Sequence, residues 1–190
     1  WAFLSCASAQ KDEHSLEISA WQRSQNETFK DAARSPLSEE ERMNFKGHDF
    51  FPIDANYRVK AKFEPTPKST TFAIPTNKGT QKRYRRIGKL HFNLNDKDIT
   101  IEAYVPVQGF GMAAISQYVF IPISDKTNGL TTYEAGRYLH LESVPEGKEW
   151  ILDFNKLYNP FCAYNANYEC PIVPEPNHLA IAIEAGVKGF

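Results

Sequence analysis

A chain of 190 residues with 22 basic and 23 acidic side chains, 42% apolar and 13% aromatic, has a net charge of -1. That length suits one domain able to bury its own core without staples. The near-zero charge excludes a global field that recruits nucleic acid or an anionic membrane, and no apolar run approaches the ~20 residues of a spanning helix.

The chain opens with WAFLSCASAQ, which reads as the tail of an apolar signal region followed by Ala7-Ser8-Ala9, a small-residue pattern that signal peptidases accept. The expectation is an exported protein of the periplasm or cell surface, with residues 1–9 a signal remnant and Gln10 the mature N-terminus. A second reading takes Phe3-Leu4-Ser5-Cys6 as a relaxed lipobox with a lipid anchor at Cys6, and a third takes the segment as ordinary apolar chain. From about residue 12 to 33, Leu16, Ala20, Trp21, Thr28 and Phe29 recur at helical spacing, which predicts an amphipathic helix anchored by Trp21. Ser35-Pro36-Leu37 breaks it, and Ser38 with Glu41 forms a capping box for a short second helix, so that helices occupy about 12–46.

The period then changes. Tyr57, Val59, Ala61 and Phe63 alternate with charged residues, as in a strand with one wet face. Further strands are expected near 70–75, 83–94, 99–105, 117–123, 137–144, 149–154 and 179–183. Asn95-Asp96-Lys97-Asp98 is hairpin-turn chemistry, and Pro145-Glu146-Gly147 marks another tight turn. Lys82, Arg83, Arg85, Arg86 and Lys89 with Tyr84 look like a nucleic-acid stripe, but strand alternation divides them between two faces. The fold class that follows is mainly β: a curled antiparallel sheet or partly open barrel of about eight strands, with one or two N-terminal helices packed on it. Residues 10–190 form a single domain whose β body covers about 57–190.

Phosphate-cradling glycine loops, a Gly-x-Ser-x-Gly elbow, His-Glu-x-x-His and Cys-x-x-Cys are all missing, and the five histidines at 14, 48, 91, 140 and 178 are scattered. Two polar stretches stand beside strands. Residues 121–133, IPISDKTNGLTTY, carry Asp125, Asn128 and Tyr133 and lead to Arg137; their bland reading is a polar turn with an Asn-Gly corner. Residues 153–177 hold Asp153, Asn155, Asn159, Cys162, Tyr164, Cys170 and Asn177, more amides, phenols and thiols than a turn needs.

These stretches also carry a resemblance. FIPISDKTNGLTTYEAGRYL and LDFNKLYNPFCAYNANYECPIVPEPNHLAIAIEAGVK, preceded by SPLSEEERMNFKGHDFFPIDANYRV and RYRRIGKL, resemble the bacterial family named domain of unknown function 1684, over about residues 21–188. The resemblance implies no activity. It does imply that Asp125, Gly129, Thr132, Tyr133, Gly136, Arg137, Asp153, Asn155, Asn159, Pro160, Cys162, Tyr164, Cys170, Pro171 and Asn177 fall on motif positions, with Asn128 and Val187 departing from the family's pattern.

The residues themselves leave several functions open. A binding module would use Asp125, Tyr133, Arg137, Asn155, Asn159, Tyr164 and Asn177 to hold a small polar or glycan-like ligand, because aromatic faces pack on sugar rings while amides match hydroxyls. Arg137 is expected to point into a polar pocket shared with Asp125 or Asp153. In the bland alternative, these side chains only hold the loop in place. A cysteine-dependent hydrolase would use Cys162 as nucleophile, His178 or His140 as base and Asp153 or Asp125 as orienter. A metal site of Cys162, Cys170 and His178 has spacings that fit no common zinc knuckle, so neither metal nor cofactor is expected. In an oxidising compartment, Cys162 and Cys170 are expected to form a disulfide that shapes the loop.

Overall fold

The computed structural model describes residues 2–68, 70–107 and 118–189, with side chains from residue 12 onward. Helix α1 covers Ala2–Lys30, extending further forward than expected. The signal, lipobox and Gln10 readings rest on side chains ahead of residue 12 and fall outside those described. On α1 the docked stripe is His14, Ile18 and Phe29, all buried, with Trp21 edge-on to Phe50 at 6.2 Å. Leu16 is 70% exposed and Ala20 faces solvent, so the packed face is rotated away from the one that hydropathy marks. The cause is polar: His14 Nε2 lies 2.6 Å from Asp153 Oδ2, and Glu17 reaches Arg58 and Lys156 at 2.9 and 2.6 Å. Breaking a buried pair of this kind is costly, which holds this face of the helix against the body. Helix α2 (Glu39–Asn44) has the expected capping box, with the Ser38 N–H donating to Glu41 Oε2 and the Glu41 N–H donating to Ser38 Oγ.

The strands are β1 (Arg58–Pro65), β2 (Thr71–Pro75), β3 (Gln81–Leu94), β4 (Lys97–Pro106), β5 (Val119–Ile123), β6 (Arg137–Leu141) and β7 (Glu149–Asp153). They form one antiparallel sheet in the order β6-β5-β4-β3-β1-β7, with β2 on the front half of β3. Two-residue positive-φ turn geometry at Asn95 (53°) and Asp96 (59°) closes the β3–β4 hairpin. The long β3 pairs with β4 along one edge and serves two partners on the other, β2 before and β1 after a bulge between Arg86 and Gly88. At position 88 only glycine fits, since a Cβ would come within 2.3 Å of the Phe63 ring and 2.5 Å of the Glu64 carbonyl.

Strands β6 and β7 lie at opposite ends of the strand order, yet Tyr138 and Tyr158 exchange two backbone hydrogen bonds at 2.9 and 3.1 Å. The sheet therefore curls until the chain leaving β7 meets β6, giving a mainly β half-barrel. One face carries the main core, including Leu90, Ile101, Ala103, Ile121, Leu139, Leu152 and Phe154, with Trp150 stacked on Phe63 at 4.0 Å. Burying each of the larger of these side chains contributes about 1.5–3 kcal/mol. The other face carries Tyr84, Tyr104, Phe120 and Tyr138 beneath Cys170.

The strand expected at 179–183 is absent. That segment runs irregularly along the core, held by bonds from the Leu179 N–H to Ser124 O and from the Lys126 N–H to Ile181 O. Its apolar alternation reflects burial of Ile181 and Ile183 without membership of a ladder. The basic run on β3 divides as alternation requires: Arg83 and Arg85 face water, Lys82 reaches Glu169 O and Arg86 reaches Glu102. Among the described residues, no helix is long and apolar enough to cross a membrane.

Candidate functional site

The loop between β5 and β6 is built around Asp125 and Asn128. Asp125 Oδ1 accepts from the N–H and hydroxyl of Thr127 at 2.8 and 2.6 Å and from the Ile183 N–H at 3.2 Å. Asn128 Oδ1 accepts from the Asp125 N–H, while its Nδ2 donates to Thr132 Oγ1 and Tyr133 O. These are Asx-type turn bonds, which accounts for the polar composition.

Arg137 pairs with Asp125 as expected, Nη2 to Oδ2 at 2.9 Å, but both side chains have no exposed surface. The guanidinium also donates to the carbonyls of Ile183, Ala185 and Val187, alternate residues of the extended C-terminal strap. Burial pulls its pKa down and Asp125 pushes it back up. Arg137 thus clamps strap to sheet, in place of the pocket-facing position expected.

Three of the asparagines are occupied in the same way. Asn155 exchanges hydrogen bonds with the backbone of Asp54 at 2.9 and 3.0 Å and contacts Asp153 beneath α1. Asn177 has no exposed surface and bridges strands β4 and β5, accepting from the Glu102 N–H and donating to Glu102 O and Pro122 O. Asn159 donates to Lys188 O and to the Tyr164 hydroxyl. Each satisfies carbonyls or N–H groups that the sheet leaves over.

The two cysteines lie side by side and unbonded, which corrects the disulfide expectation. The turn Phe161–Ala163 aims the Cys162 N–H at the Cys170 sulfur, 3.2 Å away, so that sulfur serves as a hydrogen-bond acceptor. The Cys162 thiol's hydrogen bond to Cys170 lowers the Cys170 pKa and raises that of Cys162. Cys162, the expected nucleophile, is therefore the poorer of the two thiolates. The other proposed catalytic groups are elsewhere: His178 Nε2 contacts Val173 O, His140 contacts the Tyr158 hydroxyl, and Asp153 holds His14. Among the described residues, no three His, Cys, Asp or Glu side chains form a metal-binding group.

The expected loop does border a recess. An open pocket of about 620 Å³ is lined by Asp49, Thr131, Tyr133, Glu134, Ala163 and Lys188, among others. Burial and the neighbouring Cys162 thiol raise the Tyr133 pKa, and Asn159 fixes the Lys188 carbonyl. Lys188 Nζ pairs with Asp49 at 3.1 Å and lies 5.4 Å over the Phe51 ring. Of the expected ligand residues, only Tyr133 lines this pocket. Glu134 stood next to it in sequence, whereas Asp49 and Lys188 are 139 residues apart and had no signal. A larger groove of about 800 Å³ runs past Lys60, Lys62, His91 and Lys148 on another part of the sheet, and none of the loop residues reaches it.

Comparison with known proteins places the chain. A family model described as a protein of unknown function, DUF1684, matches residues 43–188. The chain belongs to the DUF1684 family. A solution NMR structure of an uncharacterized protein from Haloarcula marismortui is similar to this DUF1684 chain, at 31% identity over 95% of this chain and 96% of that one, with a TM-score of 0.73. No curated protein matches. The DUF1684 match begins within α2 and takes in every strand, the clamp and nearly all of the recess, leaving out the whole of α1.

The recess rests on an aromatic cluster that should respond to pH. His48 packs against Phe29, Phe45, Phe50 and Tyr164, and its Nδ1 lies 3.2 Å from the Tyr164 hydroxyl. Burial lowers the His48 pKa from 6.5 to about 4. An unfolded chain binds that proton near 6.5 and the folded chain only near 4, so between these values the unfolded state holds more protons. Stability from this group is complete above 6.5 and declines as the pH falls toward 4. Urea midpoints across that range should show the decline, with a His48 ring resonance titrating near 4, and His48→Phe should flatten the acid limb.

Proposed function

We propose that this DUF1684 chain is a binding module that takes a small, hydroxyl-rich polar or glycan-like ligand in the Tyr133 recess. The reading includes a site of action outside the cytoplasm, on the Ala7-Ser8-Ala9 pattern. Its single carrying observation is the recess itself. One aromatic ring, the Thr131 hydroxyl, the Glu134 and Asp49 carboxylates and the Lys188 ammonium converge on about 620 Å³, a volume ordinary for small-molecule sites. The asparagines and thiols behind the recess hold its walls and need not touch the ligand.

Amide chemical shifts of the full chain, followed against a panel of neutral mono- and oligosaccharides, test this. Binding should move the resonances of residues 129–134 and 188–189 together. Tyr133→Ala should weaken it about tenfold, the worth of one stacked ring, with the fold unchanged. A panel that leaves those resonances still, or that perturbs them equally in the variant, would overturn the assignment.

A further inference from the structure

Zinc, calcium and magnesium need more than two ligands, and among the described residues no group of three is available to them. A soft d10 monocation is different, because two thiolates on opposite sides complete its coordination. Cys162 and Cys170 are such a pair. They lie side by side without a bond between them, and the Cys162 N–H donates to the Cys170 sulfur at 3.2 Å. An N–H aimed at sulfur is the outer-sphere hydrogen bond that a metal thiolate receives.

Each cysteine is held from outside the pair. Asn77 fixes the Cys170 backbone on both sides: its Oδ1 accepts from the Cys170 N–H at 2.8 Å, and its own N–H donates to Cys170 O at 3.1 Å. The Phe161–Ala163 turn, closed by the Ala163 N–H on Pro160 O at 2.9 Å, holds Cys162. Two thiols positioned by separate parts of the fold form a site whose supports are already in place. Cys170 belongs to the aromatic cluster of Tyr84, Phe120 and Tyr138, which shields one side from water, while half-buried Cys162 leaves an approach from solvent. Charge is provided for as well. A bis-thiolate of a monocation carries one negative charge, and Lys82 Nζ sits beside Cys170, donating to Glu169 O at 2.6 Å. The Glu169 carboxylate is engaged by the Thr76 hydroxyl at 3.3 Å.

We propose that Cys162 and Cys170 bind one soft d10 cation, Cu(I), as a bis-thiolate. Both thiol protons leave to solvent and the ion takes their place between the sulfurs, so that two R–SH and Cu⁺ give [Cu(SR)₂]⁻ and two H⁺ with no change of oxidation state. The activity this adds is capture of a soft metal ion. It does not depend on what the Tyr133 recess binds.

Titration of the full, reduced chain with Cu(I) under anaerobic conditions, in competition with bicinchoninate, tests this. Uptake should be equimolar, and two of the chain's three thiols should become unreactive toward a thiol reagent. The Cys6→Ser chain should bind as the parent does. Cys162→Ser and Cys170→Ser should each lose about a hundredfold or more in affinity, beyond the roughly 10–100-fold that loss of an outer-sphere partner costs. No uptake against the competitor overturns the proposal, as does unchanged binding in either serine variant or its loss in Cys6→Ser. Copper-edge X-ray absorption of the loaded parent keeps the test decisive even if a serine variant fails to fold: two sulfur neighbours support the site, and nitrogen or oxygen neighbours overturn it.

Discussion

Arg137→Met should lower the unfolding free energy by about 3–5 kcal/mol, the cost of leaving one member of a buried pair without its counter-charge. The substitution removes the only cation within reach of Asp125 Oδ2 among the described residues and releases the carbonyls of Ile183, Ala185 and Val187. Asp125 would remain buried with its charge. For a chain of this size the loss corresponds to a fall in Tm of roughly 10 °C or more. Arg137→Lys should recover little, because an ammonium cannot span a carboxylate on one side and three alternate carbonyls on the other. The Asp125→Asn change made on top of Arg137→Met should restore part of the loss by removing the stranded charge. Urea denaturation of the parent, the two Arg137 variants and the double variant measures these differences, and an Arg137→Met chain as stable as the parent would show that the clamp carries no net stability.

Asn177→Ala is the second large effect, an expected loss of about 3 kcal/mol. One side chain satisfies three buried backbone groups, the Glu102 N–H, Glu102 O and Pro122 O, and each left unpaired costs about 1–3 kcal/mol unless water reaches it. The site needs such a bridge because strands β4 and β5 pair at Tyr104 and Phe120 and then diverge, leaving Glu102 and Pro122 facing a gap. Asn177→Asp should be nearly as harmful, since a carboxylate cannot donate to the two carbonyls. Both variants should also loosen the Glu102 backbone. Hydrogen exchange at the Glu102 amide separates the effects: it should speed up in both variants and remain slow if Asn177 is dispensable.

These two side chains show where sequence reading reached its limit. Arg137, Asp125 and Asn177 were legible as unusual, because polar groups in that number beside apolar strands must be bonded to something. The choice between ligand and backbone was not legible. An amide that reads a sugar hydroxyl and one that reads a carbonyl are the same residue, and the deciding fact is whether an edge such as that at Glu102 lies opposite. Tyr133 was the exception among the expected ligand residues because it sits on the outer side of its own loop, where its position depends on local turn chemistry.

Local order was recorded in the chain itself. The period-two pattern from Val59 to Phe63, the Asn95-Asp96 turn and the Ser38-Glu41 capping box depend on neighbours a few residues away, and all three stand in the structure. The curled antiparallel sheet and the DUF1684 family were legible for the same reason, since both rest on many short patterns in fixed succession. Only the tertiary structure decided the rest. It set which face of α1 docks, through His14 and Asp153 at a separation of 139 residues. It turned the apolar alternation at 179–183 into a strap with no ladder partner. It left Cys162 and Cys170 as hydrogen-bonded thiols, and it joined Asp49 and Lys188 across the recess. In each case the residue types permit several partners, and the curvature of the sheet brings only one of them within bonding distance.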